Sequence, residues 1–244
     1  MTLFVGTSGW AYPEWKPAFY PQGCGPARFL NHYSSVFNAC EINRTFYGLC
    51  AEDAVRAWAR TTPEGFRFTA KVHRRLTHTV RIKMRDRVAF IDEYLASLAP
   101  LEGRLTALLW QFPATRERDD SFLHALLDAL PGEIPSAFEF RHDSWSAPEI
   151  DTALEQAGAV RALAAEEPAS PGSLPSGPIG YVRLRADRYS ARERQAWLEL
   201  VEREAKRRDV FVFAKHRDAA PDDPYAGLGM ARWMREKARR DAPV

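Results

Sequence analysis

Short apolar segments of strand type alternate with amphipathic helical segments, and this alternation limits the fold more than any other feature of the sequence. Strands are predicted at Leu3–Ser8, Ala39–Phe46, Arg67–Val72, Thr106–Phe112, Ala137–His142, Val160–Glu166, Ile179–Arg185 and Val210–His216. Helices are predicted at Gly25–Phe37, Glu52–Thr61, Arg87–Leu101, Asp120–Leu130, Ala147–Ala157, Ala191–Arg208 and Tyr225–Arg239. Each helix carries one apolar stripe. The alternation predicts an α/β fold built on parallel strands.

The number of repeats favours one architecture. Eight strands in 244 residues leave about 30 residues per unit, the size of a (β/α)₈ barrel. A doubly wound open sheet is the alternative, but Gly6-Thr7-Ser8-Gly9-Trp10 lacks the G-x-G-x-x-G spacing common in that fold. Pro168–Pro178 replaces the sixth helix with a loop. We therefore predict one TIM-barrel-like domain over residues 1–244 with an irregular sixth unit.

Composition excludes several classes of protein. Hydrophobic residues make up 45% of the chain and the net charge is +2, which indicates neither disorder nor a general affinity for nucleic acid. No apolar run is long enough to span a membrane, and the start of the sequence lacks a signal-peptide pattern, so we expect a cytoplasmic protein. Three cysteines without a Cys-x-x-Cys motif predict neither a disulfide framework nor a zinc site.

Polar residues recur at the carboxyl-terminal ends of the predicted strands, where a barrel of this kind carries its active site. Alternate positions of a strand face the same side. The polar positions are Glu41, Asn43 and Thr45, Thr69 and Lys71, Gln111, Glu139 and Arg141, Tyr181 and Arg183, and Lys215. Ile42, Phe46, Phe138, Phe140, Val182 and Leu184 are expected to face the helices instead, and Arg185 is expected at the rim.

Basic residues outnumber acidic ones at these strand ends, which favours an anionic ligand because arginine and lysine recognise phosphate and carboxylate. The segment Arg74–Arg87 is also rich in arginine and is a candidate nucleic-acid surface. Aromatic residues near the same end, among them Trp10, Tyr47 and Trp145, are candidates to stack on a ligand.

Several motifs together resemble the YecE-like family, called domain of unknown function 72. They are Gly6-Thr7-Ser8-Gly9-Trp10, Tyr12-Pro13-Glu14-Trp15, Phe19-Tyr20-Pro21, Glu41-Ile42-Asn43-Arg44-Thr45-Phe46-Tyr47, Trp58 with Thr62-Pro63, Phe66-Arg67-Phe68 with Lys71, Thr77-His78, Gln111-Phe112-Pro113, Glu139-Phe140-Arg141-His142 with Ser144-Trp145, and Tyr181-Val182-Arg183. Phe213-Ala214-Lys215-His216-Arg217-Asp218 departs from a Lys-His-Glu-Asp sequence of that family, because Arg217 replaces the acid and Ala214 an aromatic residue. The resemblance implies a TIM-barrel-like fold and no established activity.

These observations give a set of candidate site residues. The candidate catalytic residues are Glu41, Lys71 and Glu139. The candidate substrate-binding residues are Ser8, Trp10, Asn43, Tyr47, His78, Gln111, Arg141, His142, Trp145, Arg183 and Lys215. No metal ligand set and no cofactor is evident from the sequence.

Three functions remain open at this point. The first is an enzyme for a small phosphorylated or carboxylate substrate, with Glu41 or Glu139 as acid or base and Lys71 as an electrostatic or covalent catalyst. The second is a metal-dependent phosphodiesterase or endonuclease-like enzyme, with Glu41, Glu139 and His142 as ligands. The third is a protein that binds an anion or nucleic acid without catalysis.

Buried charge yields two further expectations. At least one of Glu41 and Glu139 should contact Arg141, Arg183 or Lys71, because an unpaired carboxylate inside a protein costs several kcal/mol, about 3 or more. Such a contact should lower the pKa of the carboxyl. Replacing Arg183 with Met is expected to abolish anion binding and leave the fold intact.

Overall fold

Parallel strands and the helices between them make up the computed structural model, which describes residues 1–215 and 220–240. The strands are β1 (Leu3–Thr7), β2 (Ala39–Ile42), β3 (Arg67–Lys71), β4 (Leu105–Phe112), β5 (Ser136–Phe140), β6 (Val160–Arg161), β7 (Leu163–Ala165), β8 (Gly180–Leu184) and β9 (Val210–Ala214). The helices are α1 (Phe29–Val36), α2 (Glu52–Thr61), α3 (Arg74–Thr77), α4 (Met84–Leu98), α5 (Asp120–Leu127), α6 (Pro148–Gln156), α7 (Ala191–Ala205) and α8 (Gly227–Arg240). The predicted α/β class with parallel strands is confirmed.

The strands form two sheets with the orders β1-β9-β8-β7 and β2-β3-β4-β5-β6. Every pairing within them is parallel. Two features join the sheets. Ser8, which follows β1, forms a parallel bridge with Glu41 of β2, and Ala162 alone separates β6 from β7.

Glycine at position 6 lets β1 lie close to β2. A Cβ atom there would lie 1.9 Å from the carbonyl oxygen of Ala39 and 2.7 Å from the hydroxyl of Tyr33. The Tyr33 hydroxyl accepts a hydrogen bond from the backbone N–H of Thr7 at 2.7 Å and donates one to the Ala39 carbonyl at 3.1 Å. This close approach positions Ser8 beside Glu41.

Alternate strand residues contribute to two separate apolar clusters, as period-two side-chain alternation requires. The larger cluster packs the strands against the helices and includes Ile42, Phe138, Val182 and Leu184, with Phe140 against it. The smaller cluster draws on both sheets. It comprises Phe4, Ala39, Ala107, Leu109, Ala137, Val160, Ala162, Ile179, Tyr181, Phe211 and Phe213. The side-chain phase predicted for β2, β5 and β8 is thus confirmed.

Local signals set several helix boundaries. Ser190 and Glu193 form a reciprocal capping box at the start of α7. Gly158 follows α6 with a φ of 67°, a left-handed conformation that glycine adopts without steric cost. Pro168–Pro178 contains no helix, which agrees with the irregular sixth unit predicted from the sequence.

The predicted end of the second strand was wrong, and one short helix was not predicted. The second strand was expected to reach Phe46 but ends at Ile42, and Arg44–Phe46 forms a 3₁₀ turn. The Thr45 hydroxyl stabilises this turn by donating to the carbonyls of Ile42, at 2.8 Å, and Lys71, at 2.7 Å. The short helix α3 was not predicted. The end of the last predicted strand, at His216, lies outside the described residues, as do Arg217 and Asp218.

Candidate functional site

The centre of the candidate site is a buried ion pair between β2 and β8. Arg183 donates through Nη2 to Glu41 Oε1 at 2.9 Å and through Nε to Glu41 Oε2 at 3.0 Å. Both residues are buried, with 5% and 0% of their surface exposed. Such two-pronged pairing fixes the orientation of the guanidinium as well as its position.

The same arginine reaches the second carboxylate. Its Nη1 donates to Glu139 Oε2 at 2.5 Å, and Arg141 Nε donates to Glu139 Oε1 at 2.8 Å. The predicted contact between these carboxylates and the basic residues is confirmed. The geometry predicts that Arg183→Met lowers the stability of the fold, because that change would leave two buried carboxylates without their shared partner.

Two members of the network were not among the candidate residues. The Tyr181 hydroxyl donates to Glu41 Oε2 at 2.8 Å and lies 2.9 Å from Thr69 Oγ1. Arg185 Nη2 donates to Ser8 Oγ at 2.8 Å and lies 3.6 Å from Glu41 Oε1. Only 10% of the Arg185 side chain is exposed, so its expected place at the rim was wrong.

The signal for both residues was present in the sequence. Tyr181, Arg183 and Arg185 alternate along β8 and its continuation, so they share one face.

We refer to Glu41, Glu139, Arg141, Arg183 and Arg185 as the charge cluster.

Both carboxylates of the charge cluster are ionised at neutral pH. Burial alone would raise the pKa of Glu41, but Arg183 and Arg185 outweigh it and lower that pKa to about 2. Burial would likewise raise the pKa of Glu139, but Arg183 and Arg141 outweigh it and lower that pKa. The expected lowering is confirmed. It argues against proton transfer by Glu41, whose two oxygens already accept hydrogen bonds from Arg183 and Tyr181.

Lys71 ends β3 beside the charge cluster. Its Nζ donates to Gln111 Oε1 at 2.7 Å and lies 3.9 Å from the centre of the Phe46 ring. Burial, followed by the positive charge of Arg183, lowers the pKa of Lys71 to about 8, while Glu41 and Glu139 act in the opposite direction. This amine therefore loses its proton more readily than an exposed lysine does.

Phe46 and His78 complete the surroundings of Lys71. The His78 ring packs edge-on against Phe46, with 4.8 Å between ring centres. Burial, then Lys71 and Arg74, lower the pKa of His78 to about 4, so this imidazole is neutral. Phe46 was expected to face the helices. It instead lies beneath the Lys71 amine, because the turn at Arg44–Phe46 breaks the strand alternation.

The remaining candidates lie elsewhere around this edge. Trp10 and Asn43 line a separate cleft of about 150 Å³, where Trp10 packs edge-on against Trp58. Tyr47 is 74% exposed and packs edge-on against Phe46. Lys215 Nζ donates to Asp187 Oδ1 at 2.7 Å.

Two candidates that follow β5 have structural partners. Trp145 is fully buried, stacks on Phe140 with 4.5 Å between ring centres, and donates to the Arg116 carbonyl at 2.8 Å. It therefore belongs to the core and offers no surface to a ligand. His142 Nδ1 accepts a hydrogen bond from the Ser144 backbone N–H at 3.2 Å and so caps the following turn.

The basic segment Arg74–Arg87 divides into surface and core. Arg74, Arg75, Arg81, Lys83 and Arg85 are exposed. Arg87 is only 1% exposed, so it does not belong to the proposed nucleic-acid surface. Its guanidinium donates to the carbonyls of Arg75, Leu76 and Thr79, which ties the segment to α4.

Across residues 1–215 and 220–240, no group of three or more His, Cys, Asp or Glu side chains is arranged to hold a metal ion. In that same part of the chain, no helix is long and apolar enough to cross a membrane.

The comparisons with known proteins agree with the motifs. The family described as "Protein of unknown function DUF72" matches residues 4–243. The chain belongs to this family. It is 26% identical over 215 residues to the UPF0759 protein YunF of Bacillus subtilis, covering 81% of this chain and 73% of YunF. It is 28% identical over 172 residues to the UPF0759 protein YecE of Escherichia coli K12, covering 68% of this chain and 60% of YecE.

Crystal structures of two other DUF72 proteins resemble the chain along its length. The protein from Thermotoga maritima superposes with a TM-score of 0.80 at 23% identity and covers 99% of this chain and 100% of its own. A protein from Enterococcus faecalis superposes with a TM-score of 0.73 at 18% identity and covers 99% and 98%. At these identities the likeness shows the fold alone.

Proposed function

We propose that this DUF72 protein is an enzyme for a small anionic substrate, carrying a phosphate or a carboxylate, which binds at the carboxyl-terminal edge of the strands. The observation that carries the proposal is the excess of basic over acidic side chains around the charge cluster. Arg183 neutralises part of the charge of Glu41 and Glu139, while Lys71, Arg141 and Arg185 lie around the same groups. Four basic groups therefore face two acidic ones, and an anion would balance the excess.

The exposed fractions suggest which basic group receives the anion. The side chain of Arg183 is 6% exposed and that of Arg185 is 10% exposed, whereas that of Arg141 is 47% exposed. Arg141 donates through Nε to Glu139, so its two Nη groups remain to donate hydrogen bonds to a phosphate or carboxylate. We assign Arg141 to anion binding and Lys71 to catalysis, with Glu41 and Glu139 holding the arginines in place.

The proposed site requires that both sheets contribute to one edge, and we propose that they close into a single (β/α)₈-type barrel. Three observations support closure: the Ser8–Glu41 bridge, the single residue between β6 and β7, and the apolar cluster drawn from both sheets. In such a barrel the carboxyl-terminal ends of the strands meet in one mouth.

A second candidate function is supported by the exposed basic residues of Arg74–Arg85, which suit binding to a nucleic-acid backbone. Binding through this surface would fall steeply as salt concentration rises, whereas a small anion in a half-buried site would be less sensitive.

The anion proposal is tested by thermal unfolding with inorganic phosphate or oxalate, against chloride at equal ionic strength. Both probes are expected to raise the melting temperature of the wild-type protein, because a ligand that binds only the folded state stabilises it. Arg141→Met is expected to weaken binding about 10-fold or more, since it removes a charged hydrogen-bond donor.

The matched control is Arg232→Met on α8. Arg232 has the same exposed fraction, 47%, and likewise donates to one carboxylate, that of Glu236 at 3.2 Å. Protection that both variants lose equally, or that wild type never shows, would overturn the proposal.

A further inference from the structure

Lys71 differs from an ordinary anion-binding lysine in its partners. In the part of the chain that the structure describes, it forms no ion pair with a carboxylate. Its amine donates to the neutral oxygen of Gln111 and rests on the face of Phe46. The charged groups around it are two arginines, Arg183 and Arg141, and two carboxylates, Glu41 and Glu139. The arginines lower the pKa of Lys71 and the carboxylates raise it.

These partners suit an amine that reacts. A carboxylate bound directly to Nζ would hold it as an ammonium, whereas an amide oxygen positions it without fixing its charge. Neighbouring cations favour loss of the proton, which is how lysine nucleophiles are activated in proteins. The lowered pKa of Lys71 agrees with this geometry.

We propose that Lys71 forms an imine with the carbonyl carbon of an aldehyde or ketone that also carries a carboxylate or phosphate. This inference rests on the proposed function, because the acidic group would bind at Arg141. It names the substrate class and the covalent step of that same site.

The step balances without a redox partner. The neutral amine attacks the carbonyl carbon and forms a C–N bond, while the carbonyl π electrons move to the oxygen. Proton transfer from nitrogen to oxygen gives a carbinolamine. The proton that the Lys71 ammonium gave up to solvent when the neutral amine formed is returned to the hydroxyl, which leaves as water as the nitrogen lone pair forms the C=N bond. In sum, ammonium and carbonyl become iminium and water, with one positive charge on each side.

Phe46 suits the two cations that stand before and after this step, the ammonium and the iminium. Its ring face attracts the ammonium of Lys71, and it would attract the iminium in the same way because both are cations. The iminium would withdraw electrons from the neighbouring carbon of the substrate, as lysine imines do in covalent catalysis.

The test is reductive trapping with glyoxylate and sodium cyanoborohydride near neutral pH, followed by peptide mapping. Lys16 is the internal control, because its amine also lies over a ring, that of Phe29 at 5.4 Å, but outside the charge cluster. We expect Lys71 to be alkylated about 10-fold faster than Lys16 or more. Inorganic phosphate should slow labelling at Lys71 and leave Lys16 unaffected. Acetaldehyde, which lacks the carboxylate, should show less preference for Lys71.

The outcomes separate the two proposals. Equal labelling of Lys71 and Lys16 by glyoxylate, with phosphate still protecting the protein against heat, would overturn the imine and leave the anion site standing. If glyoxylate and acetaldehyde label Lys71 with the same preference over Lys16, and phosphate has no effect, the proposed anion site is overturned. The requirement that the substrate carry a carboxylate or phosphate is overturned with it. Lys71→Arg should retain thermal protection by phosphate, because it preserves the positive charge while removing the nucleophile.

Discussion

Replacing Arg183 with Met tests whether the charge cluster is a single buried network. The change removes all three hydrogen bonds that Arg183 donates to Glu41 and Glu139 and leaves both carboxylates buried. Breaking a buried ion pair by removing one partner costs about 3–5 kcal/mol. Arg183 and Arg185 together lower the pKa of Glu41 from 4.5 to about 2, which is a shift of the same order, about 3 kcal/mol. We therefore expect a loss of about 3–5 kcal/mol at neutral pH.

The dependence on pH follows from the sign of the shift. In the wild-type protein the folded pKa of Glu41 lies below its unfolded value. The contribution of Glu41 to stability is therefore fully present above about pH 4.5 and is lost as the pH falls toward about 2. In Arg183→Met the buried carboxyls lose their principal counter-charge, so their pKa values rise. Protonation then relieves the variant, and the stability gap to wild type should narrow as the solution is acidified from about pH 7 to about pH 4.5.

Urea unfolding, followed by tryptophan fluorescence, measures the gap at both pH values. Arg232→Met, which removes an exposed pair, should cost about 0–1 kcal/mol. The triple variant Arg183→Met, Glu41→Gln and Glu139→Gln should recover part of the loss, because no buried charge is then left unpaired. A cost for Arg183→Met within about 1 kcal/mol of the exposed control, or a gap that does not change with pH, would refute the buried network.

Three further changes test single contacts. Tyr181→Phe should cost about 1–2 kcal/mol in urea unfolding, because Glu41 loses a buried donor, and no measurable loss would contradict that hydrogen bond. Arg87→Met should speed proteolytic cleavage between residues 78 and 83, because three backbone carbonyls lose their donor. The same substitution at an exposed arginine of this segment should leave the cleavage rate unchanged. Gly6→Ala should lower stability by about 3 kcal/mol, because its Cβ would overlap the Ala39 carbonyl, and a wild-type melting temperature would show that β1 and β2 are not so close.

The side-chain phase of the strands could be predicted because it follows from period-two alternation alone. Glu41, Glu139 and Arg183 belong to three different strands, yet each was assigned to the polar face, and the structure brings them into contact. Arg185 was missed for a different reason. A charged residue just beyond a strand was expected at the rim, but the hydroxyl of Ser8 and the carboxylate of Glu41 draw it inward.

Strand ends could not be predicted with the same success. The sequence continues the alternation through Phe46, but the chain turns after Ile42 because the Thr45 hydroxyl donates to two carbonyls, one of them that of Lys71. That second contact joins positions 26 residues apart, so no local pattern contains it. Arg87 is a similar case, since its carbonyl partners are fixed only when the segment before α4 folds back.

The charge cluster also explains why a site with excess positive charge contains two glutamates. Burying the charge of Arg183 at 6% side-chain exposure would be strongly destabilising without counter-charges, and Glu41 and Glu139 supply them. Burial opposes the charge of Arg183, but the two carboxylates outweigh it and raise its pKa. A permanently charged guanidinium is thereby fixed near Lys71, where it favours loss of the amine's proton. Glu41 and Glu139 act in the opposite direction on Lys71, but the effect of Arg183 is larger than that of either carboxylate. In the proposed site, the glutamates would therefore serve to hold the arginine whose charge favours the neutral amine.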